Sequence, residues 1–208
     1  FESAAWMNTV YGRKYGASNA NGRFYDTVIP NYFEPDDFPF AEKQGDYVLY
    51  VGRMIGRKGL AIINDVAKRM QNTKFILAGP GARVDGSTII YDEYKNADGK
   101  WCTATLEGDN LQYIGVIDGK QRGKLMSEAR ALICPTLYIP PFEGVHVEAM
   151  MCGTPVVTPP YGAFAETYIN GVHGYKCRTI RQFSDGIERA DKLDRRAIRK
   201  YARGKYSA

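Results

Sequence analysis

An unbroken apolar run stands at residues 47–51 (Tyr-Val-Leu-Tyr-Val), and short, mostly apolar runs recur at 74–78, 111–114, 131–134, 156–158 and 174–177. Runs this short and apolar on both faces are what parallel strands require when helices cover the sheet on each side. Between them apolar residues space out by three and four positions, which predicts helices over 60–70, 120–130, 145–151 and 163–169, and one or two more over 179–201. Strand and helix alternate, so the expected fold class is α/β, a doubly wound parallel sheet with right-handed crossovers. Elsewhere the signal is weaker. Residues 1–15 carry Trp6, Val10 and Tyr11 at mixed helical spacing and are stopped by Gly16-Ala17-Ser18-Asn19; residues 27–29 read as a short strand; 82–110 read as an irregular insertion with one strand over 88–91.

Three segments follow from this pattern. Residues 1–25 are expected to be the tail end of a preceding domain, 26–45 a hinge rich in Pro and aromatic residues, and 46–208 the sheet domain. The adjacent Asp36 and Asp37 sit among prolines and read as turn chemistry rather than a metal pair. With 208 residues of which 44% are hydrophobic, the chain can bury a proper core. It does not begin with Met and holds no apolar segment long enough to span a bilayer, and it is expected to be a soluble, cytoplasmic piece of a longer protein. Cys102, Cys134, Cys152 and Cys177 form no CxxC pair and read as reduced thiols, and His146 and His173 lack ligand spacing, so no metal site is expected.

Charge changes the picture at one end only. The formal net charge is +5, and residues 181–208 hold nine basic side chains against four acidic ones, an excess equal to the whole imbalance. Lys192, Arg196, Arg199 and Arg203 recur at helical spacing. A stripe of this kind can face anionic lipid, but a wet helix face is the commoner use, and no nucleic-acid partner is expected.

The richest chemistry lies in residues 135–157, where an apolar strand gives way to a Pro- and aromatic-rich loop, Gly144, and a helix of about two turns. A helix start at the carboxyl end of a strand presents unpaired N–H groups and a positive dipole end to an anion such as phosphate. Glu148 leans back over Gly144 towards that mouth. A carboxylate beside a phosphate needs its own donors, and the hydroxyl pair of a ribose would supply them. A second loop, Gly52-Arg53-Met54-Ile55-Gly56-Arg57-Lys58-Gly59, crowds three cations at a helix start, where the dipole disfavours them unless an anion binds. Its glycines match neither GxGxxG nor GxxxxGK[ST], which argues against NAD and against ATP hydrolysis. Gly79-Pro80-Gly81 allows close backbone approach, and the loops after Val51, Ala78, Ile114 and Cys134 share the carboxyl edge where such sheets bind ligands.

At these residues the chain resembles the C-terminal, donor-binding domain of GT-B-fold retaining glycosyltransferases of the family 4 kind, the glycosyl transferases group 1. The likeness is carried by Val28-Ile29-Pro30-Asn31, Gly52-Arg53 with Lys58-Gly59, Leu77-Ala78-Gly79-Pro80-Gly81, Ile114-Gly115, Pro135-Thr136, Glu148-Ala149-Met150 and Cys152-Gly153-Thr154-Pro155-Val156-Val157; residues 163–174, with Glu166 and Gly171, fit as well. It implies a Rossmann-like domain, one half of a GT-B architecture, that binds a UDP- or GDP-sugar as donor substrate without cofactor or metal. Arg53 and Lys58 would hold the diphosphate and neutralise the leaving group, and Glu148 would bind ribose. Gly52, Gly81, Ile114, Tyr138, Glu143, Gly144 and Val145 would complete the donor site. A glycan or lipid-linked acceptor would be held by an N-terminal domain outside residues 1–208, with peripheral membrane contact, so the fragment is expected to bind donor but transfer sugar poorly.

One departure stands out. Family members carry a first Glu eight positions before the second, where this chain has Pro140, and Glu143 stands where Gly is common. Either Glu143 takes over the sugar contact or that contact is lost. A non-catalytic nucleotide-sugar-binding module is the alternative that Pro140 favours; an epimerase of the same fold would need catalytic groups that are not assignable here.

Overall fold

The computed structural model describes residues 1–16 and 22–207. Its strands are β1 (Tyr47–Val51), β2 (Lys74–Ala78), β3 (Ala82–Asp85), β4 (Thr88–Lys95), β5 (Trp101–Leu106), β6 (Leu111–Tyr113), β7 (Ala131–Ile133), β8 (Val156–Thr158) and β9 (Gly174–Lys176). The helices are α1 (Ala4–Tyr15), α2 (Leu60–Arg69), α3 (Gly119–Glu128), α4 (Gly144–Met151), α5 (Phe164–Thr167), α6 (Ile180–Arg189) and α7 (Arg195–Tyr206). Six parallel strands form one sheet in the order β6-β2-β1-β7-β8-β9. Strand order reverses between β1 and β7, so the exits of these two strands flank the crevice where a doubly wound sheet takes its ligand.

Alternation along β1 builds two core layers. Val48 and Tyr50 join Phe75, Leu77, Ile133 and Val157 beneath Leu60, Ile63 and Val66 of α2 and Phe183 and Ile187 of α6. Leu49 joins Ile76, Leu132 and Val156 on the opposite face, under Met126 of α3, Val147 and Met150 of α4, and Ile198, Ala202 and Tyr206 of α7. Both faces are covered, which is why these strands read as short, mostly apolar runs. All four cysteines are free thiols.

The structure departs from the sequence reading in several places. Residues 82–110 are not irregular: β3, β4 and β5 form a separate antiparallel sheet. Its strands are half-exposed and polar, and a register shift between Asp92 and Tyr94 breaks the alternation that would have revealed them. Residues 27–29 belong to neither sheet; Thr27 and Ile29 instead bond the backbone of Phe1, whose ammonium donates to Thr27 O at 2.9 Å. The helix expected over 163–169 shrinks to the four residues of α5. Residues 17–19 of the expected stop after α1 lie outside the described residues, while Gly16 caps that helix with φ 80°.

The basic stripe near the end is a largely solvated face, as expected, whose members also reach partners on the linker. Arg196 pairs with Glu42, Arg203 approaches Asp36 at 3.8 Å, and Arg199 donates to Phe38 O and Met151 O at 2.9 and 3.0 Å. Lys192 alone of that quartet lies outside α7, exposed in a 3-10 turn. These contacts fasten the 34–42 segment onto α7. Arg195, which the stripe leaves out, is the buried member. It donates to Ala41 O (3.1 Å), Ala129 O (3.0 Å), Ser127 O and Thr154 Oγ1 (3.0 Å). Among the described residues no helix is long and apolar enough to cross a membrane.

Candidate functional site

Four strand exits meet at the carboxyl edge of the sheet. Gly79 N–H donates to Gly115 O at 2.8 Å and Gly52 N–H to Ala78 O at 3.0 Å, which ties the exits of β1, β2 and β6 together. Gly79 has φ 137°, and a Cβ there would stand 2.0 Å from Gly52 O, so only glycine permits this approach. Tyr113 Oη donates to Gly79 O at 2.6 Å from below. Gly81 accepts from Asp92 N–H at 3.1 Å, so the antiparallel sheet is anchored beside the same edge, and Ile55 bridges to Asp92. Ile114 follows β6 and bonds Leu77 O at 3.0 Å.

The cationic loop leads into α2 at the expected place. Arg57 and Lys58 occupy a 3-10 turn, Gly56–Lys58, and α2 begins after Gly59 in a left-handed conformation. A Cβ on Gly59 would sit 2.0 Å from Pro135 O, and Leu137 N–H donates to Arg57 O at 2.9 Å. This loop therefore packs directly against the exit of β7.

That packing brings three predicted residues into contact. Lys58 Nζ forms an ion pair with Glu143 Oε1, and Tyr138 Oη donates to Glu143 Oε2 at 3.0 Å. The Tyr138 ring also underlies the Arg57 and Lys58 cations at 5.4 and 5.2 Å. Burial alone would pull the Lys58 pKa down, but the Glu143 carboxylate and Tyr138 outweigh it and the net shift is upwards. Lys58 is therefore a firmly charged, half-buried cation.

Glu148 lies one helical turn beyond Gly144 and Val145 and takes Arg122 of α3 as partner, with Nε 3.1 Å from Oε2. Its geometry makes no hydrogen bond, and Glu148 Oε2 is a buried polar atom without one. Burial raises the Glu148 pKa and the Arg122 charge opposes the rise. The Cys134 thiol is fully buried, pushed up by burial and within the fields of Glu143, Lys58 and Glu148. Lys58 and Glu148 thus act on one buried group, and Glu148 Oε2 is itself buried. Arg53 does not join the ion pair: it is exposed and lies over the ring of Trp101 at 5.7 Å. Behind Gly144, the Phe33 ring would stand 3.3 Å from an added Cβ. Pro140 is buried against Gly162 and accepts from Ala163 N–H at 3.1 Å, so its place in the loop is structural.

Three contributors escaped the sequence reading. Arg122 and Trp101 come from elements 26 and 48 positions away from the residues they touch, Glu148 and Arg53, and no local pattern links them. His146 is buried, with Nδ1 2.6 Å from Glu143 O and Nε2 2.7 Å from Thr167 Oγ1. Burial lowers its pKa to about 4, so the ring is neutral. No group of three His, Cys, Asp or Glu residues among the described residues gathers to hold a metal ion. A cleft of about 500 Å³ lies elsewhere, beside the start of β1, where Phe40, Glu42 and Gln44 face Asp194 and Arg196. Its charges already serve to hold the linker, and it brings none of the strand-exit groups together.

The family model for glycosyl transferases group 1 matches residues 33–205. The chain belongs to that family. Among curated relatives, the glycogen synthase of Mycobacterium tuberculosis is 30% identical over 159 residues, which is 73% of this chain and 36% of that enzyme. The spore coat protein SA of Bacillus subtilis is 24% identical over 77% of this chain and 42% of its own length. The matched region thus spans well under half of these relatives. The fold is that of GT-B glycosyltransferases. Sucrose-phosphate synthase from Thermosynechococcus elongatus superposes with a TM-score of 0.70 at 19% identity, over 98% of this chain and 53% of that one. Anabaena HepE, solved in complex with UDP-glucose, superposes with a TM-score of 0.69 at 18% identity, over 92% and 57%.

Proposed function

We propose that residues 46–208 form the donor-binding half of a retaining, metal-independent glycosyltransferase, and that residues 1–25 belong to the acceptor-binding side of a longer enzyme. The observation that supports this most is a charged Lys58 after β1 and, on α4 after β7, Glu148 Oε2, a buried oxygen lacking a hydrogen bond, with both side chains acting on the buried Cys134 thiol. A nucleoside diphosphate suits both groups. Its phosphate oxygens accept from Lys58 and from the N–H groups at the start of α4, and its ribose hydroxyls donate to Glu148.

In transfer, the bond from the anomeric carbon to the β-phosphate oxygen breaks and its electron pair leaves with the diphosphate. The acceptor oxygen bonds to that carbon and gives up its proton to the departing phosphate oxygen. Charge gathers on the departing diphosphate, so fixed cations placed there lower the barrier without needing a metal. Lys58 is the buried cation for this role, and Arg53, held out over Trp101, is the mobile second one that can swing onto the phosphates. Gly52, Gly79 and Gly81 leave the backbone low enough for the ligand to approach, and Ile114 gives the base an apolar contact.

Calorimetric titration with UDP- and GDP-sugars tests the reading. Micromolar binding of one of them is expected, weakened at least tenfold by Lys58→Ala or Glu148→Ala; a chain that binds neither nucleotide would refute it. A second reading, a donor-binding module without transfer, draws on the buried Pro140. Restoring Glu at 140 in the full-length protein separates the two, because activity that appears only in that variant marks a module that has lost its chemistry.

A further inference from the structure

Glu143 is the one residue other than glycine, among those described, with a left-handed backbone, φ 67° and ψ 64°. Contact between Cβ and the neighbouring carbonyl disfavours this conformation, and it persists only where surrounding groups enforce it. Here the enforcement is visible. The neutral His146 ring donates from Nδ1 to Glu143 O, which fixes Nε2 as the acceptor for the Thr167 hydroxyl, and His146 N–H also donates to Glu143 O at 3.3 Å.

This backbone aims the Glu143 carboxylate into the site. Both of its oxygens are engaged, one on Lys58 and one by Tyr138 Oη. In this state the carboxylate has little left to offer a sugar, and Lys58 is already neutralised by the chain's own anion. We propose that Glu143 is an internal stand-in for the donor diphosphate: it occupies Lys58 in the empty site, and donor binding exchanges it for phosphate, freeing the carboxylate to accept hydroxyls of the donor sugar. The inference rests on the nucleotide-sugar reading above and deepens it.

The exchange discriminates between donor and product. A sugar nucleotide displaces the carboxylate and gives it hydroxyls to accept. A bare nucleoside diphosphate displaces it and leaves it unpartnered beside two negative phosphates, which is costly in a half-buried site. The site would therefore release the spent diphosphate more readily than it releases the donor.

The test is affinity for UDP or GDP, whichever the wild type binds, in Glu143→Gln. This variant keeps the size of the side chain and its contact with Tyr138 but removes the charge. Affinity for the bare diphosphate is expected to rise about tenfold, the order expected for removing one like charge a few ångströms away. Affinity for the matching sugar nucleotide should rise less or fall. Glu143→Asp, with a shorter reach to Lys58 and a residue type better suited to left-handed backbone, should move the ratio the same way and guards against misfolding of the first variant. Bare-diphosphate affinity that stays level or drops in both variants overturns the exchange while leaving nucleotide binding intact. Failure of the wild type and both variants to bind either diphosphate would instead bring down the functional reading itself.

Discussion

Arg122 Nε stands 3.1 Å from Glu148 Oε2, and the pair joins α3 to α4 across the face of the sheet. The guanidinium offsets part of the cost of burying the carboxylate without making a directed hydrogen bond, so Oε2 stays buried and without a donor. A ribose hydroxyl donates its stronger, charge-assisted hydrogen bond to the ionised form.

Nucleotide binding is therefore expected to weaken on the acid side. Burial raises the Glu148 pKa, so the loss should begin above the pH at which an exposed glutamate protonates, and Arg122→Met should move its onset higher still. Titrations of nucleotide between pH 5 and 8 on both proteins check this. Identical acid limbs would show that Arg122 does not tune Glu148.

Glu148 is a site where binding and stability should part company. Replacing it with Gln removes a buried charge whose oxygen lacks a hydrogen bond, and this should stabilise the fold by about 1 kcal/mol in urea unfolding while weakening the nucleotide. Loss of stability together with affinity would mean that the carboxylate is chiefly a structural partner of Arg122.

Arg195 carries no proposed role in the site, and its variant should show the reverse. Arg195→Met strands the buried carbonyls of Ser127 and Ala129 and the Thr154 hydroxyl, and should cost about 3 kcal/mol or more. Nucleotide affinity measured well below the unfolding temperature should be unchanged. A drop in affinity at equal foldedness would tie α7 to the site.

Acid should also weaken the fold through its histidines. His146 titrates at about 4 in the folded chain against about 6.5 in an unfolded one, and His173 shifts in the same direction. Folded values below unfolded ones mean the stability contribution is whole above about pH 6.5 and is lost as pH falls towards 4, at up to about 1.4 kcal/mol per pH unit for one such group. Glu148 opposes this, since protonation relieves its burial. The urea midpoint should fall from pH 7 to pH 5; a flat or rising midpoint would show that His146 is not the buried neutral ring described.

How far the sequence could be read depended on whether a feature is local. The strands of the main sheet declared themselves because burial on both faces favours short, mostly apolar runs, and β1, β2 and β8 fall on the expected residues. The start of α4 was legible to within one residue from Gly144, since glycine and proline act on their own backbone. The antiparallel sheet of β3, β4 and β5 was not, because half-exposed strands with a bulge carry no clean period. The basic residues of α7 were legible as an exposed face, but their partners were not, for a related reason. Their helical spacing is local, but the carbonyls and carboxylates they hold come from elsewhere in the chain.

The sequence alone determined the α/β class, the sheet edge on which chemistry gathers and the residue types brought there, because propensity, periodicity and turn chemistry act over a few residues. Only the tertiary structure decided which charges meet. It set Glu143 on Lys58, Arg122 beside Glu148 and Arg53 over Trp101, since each pairing depends on loops separated by 26 to 85 residues packing to within a few ångströms. Coulomb and hydrogen-bond energies fall off over that same short range, so the pairings follow from three-dimensional closure and leave no periodic trace in the chain.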